Sequence, residues 1–418
     1  MKFAHLSDIH LGFQKNEPLQ KIEQQVFENA MEKCISLNVD FILIPGDMFH
    51  VNIPEMRVQK YAFAMFRKIH DAGIPVYVVY GSHDFSPVSN SVIDLLVETG
   101  YLTKVTRATS KEDGSISLEF IVDKNTGAKI TGLSGLKVGK DVEWYEKLER
   151  TSLEDESGFK IFLFHGGIAD MKTDSGMDGD QMPLSLLPKN FEYYAGGHMH
   201  KFNHQKFTDY EHVVYPGTPF AGYHQDLEEN AKGQKRGLVL VEFEDKVKSV
   251  EFIELENTQY EIIEVDANNR RAESINSELV EKTKEIDAVN KVVIIKVAGE
   301  MISGKTADVD ISLIRDKLND SGSLVVNIAK NQLKSKEYSI TEAKGSNKEE
   351  VETNVIAENI GQLRFEQSIL NGESGIKLAK RILEELSQGQ LANEKKNDYI
   401  PRVRDSVLAI LGVNKDNS

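Results

Sequence analysis

Aspartate and histidine recur in five short clusters along the first half of this chain. They are Asp8 and His10 in SDIHLG, Asp47 and His50 in PGDMFH, Ser82, His83 and Asp84 in GSHD, His165 in FHGG, and His198 and His200 in GGHMH. Carboxylate and imidazole together make a mixed donor set, which suits manganese, iron or zinc better than magnesium or calcium, whose ligands are oxygens. Asp8, His10, Asp47, His165, His198 and His200 are more donors than one ion with open positions needs. The count therefore predicts two ions with Asp47 bridging them. Two metals a few ångströms apart activate water and stabilise both oxygens of an in-line phosphoryl displacement. A lone D-x-H or G-H-x-H is a weak signal. Five such clusters, each closing an apolar run, are a strong one. All 11 histidines fall at or before His224, so imidazole chemistry belongs to the first part of the chain. His5, His70, His204, His212 and His224 stand outside the clusters and are read as structural or solvated.

Short β-rich runs alternating with helical patterns must position these groups. KFAHLS precedes a helical stretch in which Ile22, Val26, Phe27, Ala30, Met31 and Cys34 share a face. VDFILIPGD precedes EMRVQKYAFAMFRKIHDAG, and IPVYVVYG precedes SNSVIDLLVETG. KIFLFHGG, FEYYAGGH and HVVYPGT read as further strands, and RGLVLVEFEDKVKSVEFIEL as a strand pair closing the domain near residue 255. Strand–helix alternation implies an α/β fold with helices layered on sheet faces. In open sheets of this kind, sites form outside the carboxyl ends of the strands, where every cluster falls. Residues 256–333 suggest a small α+β domain of βαβαβ order, 334–353 a polar linker, and 354–418 a helical module of two helices.

A net charge of -16 and a pI near 5.3 argue against general coating of nucleic acid, without excluding a local groove or neutralising metal ions. The single cysteine, Cys34, has no internal disulfide partner and is expected as a buried apolar thiol in a reducing compartment. Asp8 comes too early for a signal-peptide core, and no run reaches membrane-spanning length, so a soluble cytoplasmic protein is expected.

SDIHLG, PGDMFH, GSHD, FHGG and GGHMH resemble the five motifs of the calcineurin-like metallophosphoesterases. More narrowly, KFAHLSDIHLG with VDFILIPGDMFH and VVYPGT is similar to the DNA double-strand-break-repair nucleases of the Mre-eleven/SbcD kind, in their archaeal form. The resemblance covers residues 1–255 strongly and 256–333, the family's DNA-capping domain, moderately. It implies a layered β-sandwich flanked by helices. It also implies two manganese ions, one on Asp8, His10, Asp47 and His200, the other on Asp47, His165 and His198 with position 82. His83 would protonate or stabilise the leaving 3′ oxygen, Asp84 would orient His83, and His50 would lie near the scissile phosphate. The implied activity is 3′-to-5′ exonuclease action on duplex ends and endonuclease action on single strands. The implied partners are DNA ends, an SMC-like ABC ATPase docked on residues 354–418, and a second copy through helices 55–71 and 89–102. Ser82 departs from the family's asparagine. Its hydroxyl could ligate directly, hold a water in the vacated position, or leave the second ion too weakly bound for activity. With the other ligands present, a live enzyme with a weaker second site is expected. The rival readings are a metallophosphatase or cyclic-nucleotide phosphodiesterase with the same metals, and a non-catalytic DNA-end-binding scaffold.

Overall fold

The structure is a computed structural model and describes every residue except 87–90, 136–140, 172–180, 331, 338–347, 363–366, 392–393, 395 and 413–418. The chain divides into two compact units, Met1–Tyr260 and Glu261–Ser418.

The first unit is a β-sandwich of mixed α/β type. One six-stranded sheet runs in the order Val247–Glu254, Gly237–Phe243, Lys2–His5, Phe41–Pro45, Val76–Val79, Thr103–Lys104. The other runs Asn203–Phe207, Tyr210–Tyr215, Tyr193–Gly197, Lys160–His165, Lys129–Gly132, Ile121–Val122. The central strands of each sheet are parallel, as helical crossovers require. Side chains alternate across a strand, so Phe3, Phe41, Leu43, Tyr77 and Val79 meet Ile161, Leu163, Tyr193, Ala195 and Val214 in one buried cluster. The intervening Ala4, Ile42, Ile44 and Val78 are buried too, so the first sheet is covered on both faces. Strands buried on both faces read as continuous apolar runs, as FILIP does.

The helix Glu17–Ser36 begins at Asn16, whose side chain caps Leu19 N–H, with Pro18 in the first turn. It buries Val26, Phe27, Ala30, Met31 and Cys34, with Phe27 against Phe66 of the helix Met56–Asp71 at 5.8 Å. Cys34 is the buried thiol that was expected, pushed up to about 12 by burial. Of the wide apolar face on Met56–Asp71, Val58, Ala62, Phe66 and Ile69 point inward. The Tyr61 hydroxyl donates to the Gln24 carbonyl at 2.5 Å, and Phe63 meets Tyr101 edge-on at 6.4 Å. Part of that face is thus accounted for within the unit. The second stretch expected at a dimer contact is the helix Val92–Glu98, and residues 89–90 lie outside the described residues.

In the second unit, Gln259–Asp266, Lys291–Met301 and Val325–Ala329 form one sheet, and Leu333–Ser335 pairs with Lys291–Met301. The helices Ala272–Glu285 and Ile311–Asp320 place Ile275, Leu279, Ile314 and Leu318 in the same core as Val293, Ile295 and Val297. Among the described residues three α-helices follow, Lys348–Gln362, Gly372–Ser387 and Lys396–Leu411, where two were expected. The additional one starts inside the stretch read as a linker, whose residues 338–347 lie outside the described residues. Its charged first turn masks the apolar residues that follow, of which Ile356 is buried and Ile360 lies beside Gly375 of the middle helix.

Candidate metal centre

All five clusters lie at one end of the sandwich, after parallel strands of both sheets. Hydrogen bonds across that end bind the sheets together. His165 Nδ1 meets the Pro45 carbonyl at 2.9 Å, and His198 N–H donates to both Asp8 carboxylate oxygens at 3.0 Å. His83 N–H donates to Asp47 Oδ1 at 2.8 Å, and Ser7 Oγ donates to Asp8 Oδ2 at 2.5 Å. Four site residues occupy the left-handed backbone region that non-glycine residues rarely adopt: Asp8 at φ 52°, His10 at 50°, Asp47 at 48° and His198 at 97°. Such conformations cost about 1–3 kcal/mol each and cluster where side chains must be aimed.

Ligand-type atoms of Asp8, His10 and His200 lie within 4.8 Å of one another, as do those of Asp8, Asp47 and His165, and of His10, His50 and His83. Asp8, His10, Asp47 and His165 are buried. His198 sits differently: it is an exposed residue whose ring lies edge-on to His165 at 5.5 Å, while its backbone serves Asp8. Ser82 is half-buried on the turn between Gly81 and His83, whose backbones both abut the Asp47 carboxylate.

The charges respond to burial and to each other. Burial pushes Asp8 above the usual carboxylate range. At Asp47 burial acts the same way, yet the His165 charge outweighs it and holds this carboxyl well below that range. Burial would depress His165, but Asp47, 3.3 Å from its Nε2, pushes the imidazole up to about 10. His10 is pushed down to about 3 by burial, and His50 to about 4 by burial and the nearby His83.

Two observations test this donor set against divalent ions. The Nδ1 atoms of His165 and His200 face the Pro45 carbonyl and Asp226 Oδ2 (2.8 Å), which makes them donors and turns each Nε2 toward the centre, where a cation would replace the proton that Asp47 favours on His165. His200 Nε2 then faces His10 Nε2 at 3.2 Å, and buried His165 Nε2 faces Asp47 Oδ2 at 3.3 Å. Converging imidazole nitrogens beside buried carboxylates call for a cation. The backbone also closes tightly: a Cβ on Gly81 would run into Asp47 Oδ1, and one on Gly197 into the Pro45 carbonyl. The residues fit a pair of metal ions.

One expected role changes. Asp84 was expected to orient the His83 ring, but its buried carboxylate accepts the backbone N–H groups of Met48, Phe49 and Gly81 at 3.0–3.2 Å. It fixes the loop that carries Asp47. The His83 ring is held by the His50 carbonyl, 2.7 Å from Nδ1, and stacks on the His50 ring at 4.9 Å.

Three further residues were not singled out in the sequence. Asp226 holds His200 and also accepts Gly222 and Tyr223 N–H at 2.9 and 2.8 Å. Arg236, buried, pairs with Asp226 at 3.3 Å and donates to the His200 carbonyl. Tyr223 places its hydroxyl 3.0 Å from His83 Nε2. Only the run GYHQD beside the VVYPGT strand hinted at Tyr223 and Asp226, and it lacks a recurring Asp–His pattern; nothing local marks Arg236. Of the unassigned histidines, buried His5 bonds Tyr193 at 2.9 Å, His204 bonds His212 at 3.0 Å on neighbouring strands, and His70 and His224 are exposed.

Residues 1–202 match the family model described as calcineurin-like phosphoesterase. Among curated proteins, the chain is similar to the DNA double-strand break repair protein Mre11 of Archaeoglobus fulgidus, with 26% identity over 299 residues, 67% of this chain and 65% of that protein. The protein of the same name from Sulfolobus acidocaldarius is 26% identical over 289 residues, 68% of this chain and 71% of that protein. The aligned stretch therefore spans about two thirds of these relatives' length. A solved dimetal phosphatase from Danio rerio aligns at TM-score 0.36 and 9% identity, covering 61% of this chain and 98% of that one, a likeness too low to bear on chemistry.

Proposed function

With residues 1–202 forming a calcineurin-like metallophosphoesterase domain, we propose that this protein is a two-metal phosphodiesterase that processes DNA ends. The observation that carries the proposal is the convergence of Asp8, His10, Asp47, His165 and His200 at one end of the sandwich, imidazole nitrogens inward. Asp8, His10, Asp47 and His200 would hold one manganese ion. Asp47, His165, His198 and position 82 would hold the other. Ions bound there supply Lewis acidity toward the phosphate and toward water.

The chain's own residues do the rest. Pro45 and Asp226 fix the tautomers of His165 and His200, so their Nε2 atoms face the centre. The His50 carbonyl takes His83 Nδ1, so only Nε2 of His83 can deliver a proton to a leaving 3′ oxygen. His50, stacked on His83, would lie near the scissile phosphate.

DNA as substrate is supported by the names of the relatives, and duplex exonuclease with single-strand endonuclease action follows the same reading. So do an SMC-like ABC ATPase partner docked on residues 354–418, a capping role for residues 256–333, a homodimer through helices 55–71 and 89–102, and a cytoplasmic location. Among the described residues no helix is long and apolar enough to cross a membrane.

The test is degradation of end-labelled duplex DNA by purified protein with manganese, with His83→Ala as control. Turnover lost in the variant supports the reading. Turnover of phosphomonoesters or cyclic nucleotides but not DNA would replace the substrate. Deleting residues 354–418 should abolish ATPase capture while sparing nuclease action.

A further inference from the structure

Only one nitrogen of His83 is available for chemistry, and a phenol sits on it. Nδ1 is committed to the His50 carbonyl at 2.7 Å, while Tyr223 Oη lies 3.0 Å from Nε2. With Nδ1 donating, the neutral ring accepts from the phenol at Nε2. The protonated ring donates to it instead.

Tyr223 is itself held on several sides. Its ring stacks nearly parallel on His200, at 5.4 Å and 12°, and packs against Phe13 at 5.5 Å. Its backbone N–H donates to Asp226 Oδ2, the oxygen that also holds His200 Nδ1. Residue 223 precedes the helix His224–Ala231, whose first turn carries Asp226 and caps the Tyr223 backbone. One carboxylate therefore sets both a candidate metal ligand and the tyrosine. Yet Tyr223 is 41% exposed, open to solvent beside His83.

Resting on the phosphodiesterase reading, we infer that Tyr223 is a positioning residue for His83, which aims Nε2 at the leaving oxygen through the phenol hydrogen bond. In the reaction a water oxygen bonds to phosphorus as the bond to the leaving oxygen breaks. The leaving oxygen takes the phenol's place as acceptor of the one Nε2–H that the phenol has held toward the site. Protonated His83 gives that proton to it, and the water's proton goes to solvent. Without the phenol, the His83 ring keeps its Nδ1 tether and its stack on His50 but gains freedom to turn about them. Proton delivery then suffers, while binding and metal capture do not.

The consequence depends on the leaving group. A deoxyribose 3′ oxygen needs a proton as it departs; p-nitrophenolate needs little help. Tyr223→Phe keeps the stack on His200 and Phe13 and removes only the hydroxyl. With manganese, the variant should lose at least about tenfold in kcat on DNA, with KM little changed. On bis-p-nitrophenyl phosphate it should lose several-fold less, and His83→Ala should show the same imbalance more strongly. Equal losses on both substrates, or a loss confined to KM, would make Tyr223 a purely structural residue and overturn the inference. Undiminished DNA cleavage would overturn it too. If wild-type protein turns over the activated ester but not DNA, the DNA reading fails while the leaving-group comparison remains open to ordinary alkyl phosphodiesters. Manganese binding measured by calorimetry on Tyr223→Phe checks the fold and should match wild type.

Discussion

The two sides of the candidate centre are built unequally. On the side of His10 and His200, the second residue is braced by a buried carboxylate, Asp226, itself paired with buried Arg236. The loop after His10 hangs on Glu23, which accepts Gly12 and Gln14 N–H at 2.8 and 3.2 Å. On the side of Asp47 and His165, the imidazole is braced by a neutral backbone carbonyl, that of Pro45. His198 is an exposed residue there, and position 82 offers a serine. A carboxylate behind an imidazole raises its basicity and fixes it more firmly than a neutral acceptor does. The difference points to a tight first ion and a weaker second one, which sharpens the question that Ser82 raises.

Breaking both sides at once should have the largest effect. Asp47→Ala removes the carboxylate between the two groups, and metal-dependent turnover should vanish in a nuclease assay at any manganese concentration. Activity retained at high manganese would show that Asp47 serves one side only. Next in size is the acid: His83→Ala should cost about 10²–10⁴-fold in kcat on DNA without weakening manganese binding. A matching loss of metal affinity would make His83 a ligand instead.

Separating the sides comes third. Asp226→Asn should weaken manganese at the tighter site by about 10–100-fold in calorimetric titration, leaving the weaker isotherm in place. If only the weak isotherm moves, the assignment of sides is reversed. Ser82→Asn should act in the opposite direction on the other side, lowering the manganese needed for half-maximal activity by several-fold. An unchanged manganese dependence would mean that serine already suffices.

The smallest effect concerns folding. Burial pushes Glu23 up to about 7 despite its backbone donors, against an ordinary 4.5. Between those values the folded protein holds a proton that the unfolded chain releases. The stability this proton provides is complete below pH 4.5 and is lost as pH rises through 7. Urea unfolding of metal-free protein should therefore weaken over that window, and less so in Glu23→Gln. Parallel curves for the two proteins would show that Glu23 is ionised in the fold throughout.

The strand-ending clusters and the layered α/β order were legible because they are local. An apolar run of β-branched and aromatic residues sets a strand, and the glycine-flanked polar residue after it must lie at the strand's carboxyl end. FILIP followed by Gly46 and Asp47 states this within seven residues. The helix Lys348–Gln362 was hidden for the converse reason, a charged first turn over a narrow apolar stripe.

What the sequence by itself determined is therefore the chemical inventory and the edge to which it is delivered: five Asp/His clusters, each at the end of a strand. Tertiary structure alone decided how each group is held. That Asp84 braces the Asp47 loop while a backbone carbonyl holds His83 depends on contacts spanning dozens of residues, Asp84 to Met48 and Phe49, His83 to His50. The partnership of His200 with Asp226, and of His83 with Tyr223 from 140 positions away, has no periodicity to announce it. Periodic burial is written along a chain, whereas a hydrogen bond between distant segments exists only once the sheets have packed and brought its two ends together.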